Sequence, residues 1–102
     1  MLNLKLNIQP QTKKKLIKIL TYTQDEEIFA QNFIEYQIKE LQKGMMNLRL
    51  DMKDFEEKYS MSSEEFYQKF EQGVMGDNED YIVWSGIYEM FYENEKKLSE
   101  LI

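Results

Sequence analysis

Three groups of residues in this chain have side chains suited to acting on another molecule. Asn3, Lys5 and Asn7 alternate with Leu2, Leu4, Leu6 and Ile8. Amide and ammonium groups along one edge of an extended segment suit base edges in a DNA major groove, which a two-stranded ribbon fits. The same alternation equally describes an edge strand whose polar side faces water. Lys13, Lys14 and Lys15 form a basic cluster of the kind that meets phosphate, or simply a solvated helix face. Near the other end, Tyr81, Trp84, Tyr88 and Phe91 are aromatic side chains of the type that anchors protein interfaces, and with equal weight they are core residues. Acid-base and thiolate chemistry lack their usual carriers, because the chain has no His and no Cys. The carboxylates of Asp77-Asn78-Glu79-Asp80 invite a calcium loop, but a Glu is required at its twelfth position and counting from Asp77 gives Tyr88. No catalytic residue, metal ligand or cofactor is expected.

Charge divides the chain. Residues 1–23 carry five lysines and no acid, whereas residues 24–102 carry 8 bases against 19 acids, within a total of -6. A basic end on an acidic body fits a chain that meets phosphate at one end and protein at the other. With 42% hydrophobic residues and 14% aromatics, the 102-residue chain has enough apolar side chains for one modest core or half of an intertwined dimer. No apolar run approaches the roughly 20 residues of a membrane span, and Met1 leads directly into the alternating segment. A cytoplasmic protein without membrane contact is the expectation.

The elements that would position these residues follow from spacing. Leu2–Ile8 has the period of a strand with one apolar face, and its unpaired backbone would be satisfied most simply by the same strand of a second copy. Pro10 opens a helix in which Leu16, Ile19 and Leu20 share a face. Thr23 and Glu26 have the spacing of a capping box, starting a second helix. Along that helix Ile34, Ile38, Leu41, Met45, Leu48, Met52, Phe55 and Tyr59 are spaced alternately by four and three, the seam of a helix packed lengthwise on another. Continuous from Gln24 to Tyr59 it would be on the order of 54 Å long, so it either bends near Gly44 or belongs to an extended dimer. Ser62 and Glu65 cap a short helix that ends at Gly73, and Asp77 or Asn78 caps a last helix. That last helix has Tyr81, Trp84, Tyr88, Phe91, Leu98 and Leu101 on one side and Ile82, Val83, Ile87, Met90 and Tyr92 on the other. Its apolar surface exceeds one packing face, so part of it is buried in a dimer or awaits another protein.

Strand, lysine-rich helix, capped turn and longer helix, in that order over about residues 2–42, resemble the ribbon-helix-helix family of DNA-binding proteins. The resemblance rests on Leu2–Ile8, on Pro10, and on Asp25-Glu26-Glu27-Ile28-Phe29-Ala30 opening the second helix. It implies a mainly α fold with one N-terminal β-strand: a homodimer built on an intermolecular two-stranded antiparallel ribbon, with a helical C-terminal extension. The implied division is a dimerisation and DNA-binding region over 1–43 and an acidic, aromatic-rich extension over 44–102. The resemblance further implies that Asn3, Lys5 and Asn7 read bases while the helix end around Thr23 and Gln24 holds a phosphate. Here Tyr22-Thr23-Gln24 replaces the usual glycine of that turn, and Asp25 stands near the expected phosphate. Many small members are antitoxins, and the segment from Met61 to Trp84 looks like one found in some of them. The implied function is an antitoxin of a type II toxin-antitoxin system that neutralises a basic toxin and represses its own operator DNA. A free-standing transcriptional regulator, or an interaction scaffold without DNA binding, fits the same residues.

Overall fold

The computed structural model describes residues 5–102, and within them the chain is helical: α1 Pro10–Thr23, α2 Glu26–Tyr59, α3 Ser63–Glu71 and α4 Glu79–Leu101. No strand occurs among the described residues. Lys5–Gln9 are irregular and Leu6 and Ile8 are exposed, so the N-terminal β-strand and the ribbon-helix-helix dimer expected from Leu2–Ile8 are overturned by an all-helical fold. Leu2, Asn3 and Leu4 lie outside the described residues. The physical reason is that alternation specifies which side chains share a face, whereas a strand exists only where its backbone groups find a partner. The chain divides into two compact units, one ending at Gln37 and the other spanning Ile38–Ile102, with the boundary inside α2.

In the first unit, Pro10 occupies the opening turn of α1 as expected, since its missing N–H would have no helical partner there. Gln24 ends α1 in the left-handed conformation (φ 55°), and its N–H donates to Leu20 O at 2.8 Å. This is the role a glycine usually fills. The Thr23 capping box does not form, because Thr23 still belongs to α1 and its hydroxyl donates back to Leu20 O at 3.2 Å. Asp25 caps α2 instead, its Oδ1 accepting from the N–H groups of Glu27 (2.9 Å) and Ile28 (3.2 Å). No residue of α1 is buried; Leu16, Leu20, Phe29 and Ala30 are half-buried.

The second unit holds the core, centred on Met52, Phe66 and Trp84. Trp84 stacks on Phe66 with ring centroids 3.9 Å apart and planes 2° from parallel, and on Phe55 at 5.5 Å. A polar thread runs through the same place. Trp84 Nε1–H donates to Ser63 Oγ (2.9 Å), whose hydroxyl donates to Glu56 Oε2 (2.7 Å). The same Glu56 oxygen accepts the Ser63 N–H at 2.9 Å. Glu56 of α2 thus takes an unpaired donor of the first turn of α3, and Ser62 Oγ takes another from Glu65 at 3.1 Å. Gly73 (φ 75°) closes α3 in a conformation that favours glycine, with the Val74 N–H reaching back to Lys69 O. Asn78 caps α4, accepting from the Asp80 N–H at 2.8 Å.

α2 continues through Gly44 without a break. A methyl group there would stand 3.8 Å from Asn94 Nδ2, while Phe55 meets Trp84. Advancing from 44 to 55 on α2 therefore means retreating from 94 to 84 on α4, so the two helices run antiparallel.

Candidate partner-binding surfaces

α4 is apolar on two opposite faces, and only one of them is used by the core. Tyr81, Trp84, Ser85, Ile87, Tyr88 and Phe91 are buried or half-buried. Through 100° per residue, the opposite face carries Glu79, Ile82, Val83, Gly86, Met90, Glu93, Lys97 and Glu100 within one arc. On it Ile82, Val83 and Met90 are 59%, 47% and 53% exposed. Apolar side chains at i, i+4 and i+8, here with glycine at the middle position, make a shallow stripe with carboxylates at its edges. Such a stripe buries well against another polypeptide and attracts a basic one.

Four side-chain hydrogen bonds hold α4 in place. Asp80 Oδ2 accepts from Lys58 Nζ at 2.6 Å and from the Tyr59 hydroxyl at 2.5 Å. Those two hydrogen bonds hold the Asp80 carboxyl below the usual carboxylate range, and the same carboxylate raises Lys58 and the Tyr59 phenol above their ordinary values. The Tyr67 hydroxyl donates to Glu89 Oε1 at 2.6 Å, which pushes the phenol well up, with partial desolvation adding to the effect. Tyr92 O–H points to Glu64 Oε1 at 3.4 Å. Each of these ties α4 to α2 or α3.

The residues expected to bind a partner sit differently. Trp84 is fully buried with its N–H satisfied, so it is the core side chain of the two roles its sequence fits. Tyr81, Tyr88 and Phe91 are half-buried around it, with Arg49 over the Phe91 ring at 5.5 Å. The outward Ile82, Val83 and Met90 take their place as candidates. Their signal was present in the sequence as the second apolar side of the helix. Amphipathic counting cannot say which side the core takes, and the core takes the side with the larger rings. Glu56 and Ser63 carry no spacing signature that would announce them.

Of the residues expected to meet DNA, Asn3 lies outside the described residues. Lys5 and Asn7 are exposed in irregular chain, and Lys13, Lys14 and Lys15 are exposed along α1. Thr23 is half-buried and Gln24 is exposed in the turn. Asp25 already occupies two of the N–H groups at the amino end of α2 that a phosphate would need, and its negative charge opposes one there. Among the described residues no group of three or more carboxylates converges as a metal site would require. Among them, too, no helix is long and apolar enough to cross a membrane. No protein-family model matches the chain, and neither a curated protein nor a solved structure does.

Proposed function

We propose that this chain is a non-enzymatic partner-binding protein of the antitoxin kind, which neutralises a basic protein by covering it with the outward face of α4. The observation that carries this reading is the apolar stripe of exposed Ile82, Val83 and Met90 around half-buried Gly86, edged by Glu79, Glu93 and Glu100 against Lys97. Residues 61–102 as a whole add to the field, with 10 acids against 3 bases. Charge of this sign speeds the encounter with a basic surface, and the apolar stripe holds the complex. Repression of an operator is not part of the proposal, because base reading by Asn3, Lys5 and Asn7 depends on a ribbon and the described residues contain no strand.

Co-expression with the product of the adjacent gene, followed by measurement of the complex, tests the reading. Ile82→Asp with Met90→Asp should abolish a complex that the unchanged chain forms, while thermal melting of the chain alone stays as it was. A partner that binds the double variant equally well would place its contact elsewhere and overturn the assignment to α4.

A further inference from the structure

The fold gives no reason for the glycine in the middle of α4. Gly73 and Gly76 have φ of 75° and 85°, conformations that favour glycine, and Gly44 of α2 faces Asn94 of α4. Gly86 is helical, and a methyl group built on it would meet nothing within 4 Å. Glycine is the poorest helix former after proline, so the chain carries here a destabilising residue that its own packing does not require. A bare Cα on a helix surface permits the close approach of another backbone, which a larger side chain obstructs.

The neighbours of Gly86 give this opening a shape. A row of side chains at i, i+4 and i+8 forms one of the ridges with which a helix packs into the grooves of another. The exposed row Ile82, Gly86, Met90 is such a ridge with its middle missing, and Ile82 and Met90 stand roughly 12 Å apart along the axis. The notch admits a side chain of a crossing helix and draws the two axes towards the short end of the roughly 8–10 Å range of packed helices. An extended segment lying on the same face would leave its backbone N–H and C=O groups without partners, whereas a helix satisfies its own.

Charge selects the kind of helix. Glu79 and Glu93 stand seven residues either side of Gly86, so each lies within about 20° of it around the axis and roughly 10 Å from it along the axis. Both are exposed, and among the described residues the ion pairs are Lys58 with Asp80 and Lys69 with Glu65, so neither is neutralised within the chain. The α4 of a second copy laid on this face would set carboxylate against carboxylate, whereas a helix with Lys or Arg beside its apolar side is attracted. We infer that an amphipathic helix of the partner protein, flanked by Lys or Arg, crosses α4 at Gly86. Its apolar side sits between Ile82 and Met90 and its basic residues lie against Glu79 and Glu93. This names the partner element for the partner-binding reading above and rests on that reading.

Calorimetric titration with the product of the adjacent gene, alongside thermal melting of the free chain, tests it. Gly86→Ala should raise the melting temperature of the free chain by about 4–8 °C, because the new methyl group enters open space in a helix, and should weaken the complex about tenfold or more. Gly86→Leu should leave the free chain folded and abolish the complex. A residue with only a structural role would move stability and affinity in the same direction. Glu79→Gln with Glu93→Gln should weaken the complex about tenfold, and unchanged affinity would overturn the basic character of the helix. The chain has no cysteine, so Val83→Cys takes a single benzophenone label, whose cross-links to the partner should fall on residues three or four apart. Absence of a complex with the unchanged chain would end the partner-binding reading and this inference together. A complex lost in Ile82→Asp with Met90→Asp but kept in Gly86→Leu would leave that reading standing and overturn the helix at Gly86, as would cross-links spaced by two or scattered over separate segments.

Discussion

The indole of Trp84 is both the largest core side chain and a hydrogen-bond donor to Ser63 Oγ, so removing it leaves a cavity and strips the Ser63–Glu56 pair of its cover. Trp84→Ala should cost about 3–5 kcal/mol in urea unfolding. Ser63→Ala removes the acceptor for a buried indole N–H and should cost about 1–3 kcal/mol by the same measurement. Asp80 adds a pH dependence of known sign. Its carboxyl is held below the ordinary 3.8 by Lys58 and Tyr59, so its contribution is present above that value and disappears as pH falls through the depressed one. Lys58 and Tyr59 are raised, so their contribution is present below their ordinary 10.5 and 10.0 and disappears as pH rises beyond them. Denaturant melts of Asp80→Asn against the unchanged chain should therefore differ most near neutral pH and converge at the acid end. The sequence marked Trp84 and the aromatics around it as a group, and left open whether they form core or interface. What settles the matter is the position of Ser63 and Glu56, which no local pattern encodes.

Helices are where local pattern carried furthest. Pro10 and the Ser62 and Asn78 caps stand where their spacing put them, and the heptad seam of α2 is covered from Ile38 to Tyr59 but not at Ile34. The α2 cap moved by two residues, from Thr23 to Asp25, since the nearer carboxylate is the stronger acceptor for the first N–H groups. The strand expectation failed because alternation says which side chains share a face and nothing about a backbone partner, and among the described residues Lys5–Gln9 are irregular. Gly44 gives this scale its prediction. It lies inside a continuous helix, where alanine is favoured over glycine by about 0.8–1.0 kcal/mol, and its added methyl would make an ordinary 3.8 Å contact with Asn94. Gly44→Ala should accordingly raise the unfolding free energy by up to that amount. Gly44→Leu should lower it by about 1–3 kcal/mol, because the longer side chain must displace α4.

Burial is distributed unequally along the whole chain, and this sets what each part can resist. Among the described residues, the buried Met52, Ser63, Phe66, Trp84 and Ser85 all belong to the second unit. A backbone amide opens at a free-energy cost that grows with the apolar surface the opening exposes to water, so amides around Trp84 exchange only when that unit unfolds globally. Amides of α1 and of α2 as far as Gln37 have no such core behind them, and at concentrations where the chain is alone they should exchange by local fraying. Hydrogen exchange followed by mass spectrometry should then resolve two classes of peptide that change over within α2. Protection of the first unit equal to that of the second would contradict this difference, because no residue of α1, and none of α2 before Ile38, is buried.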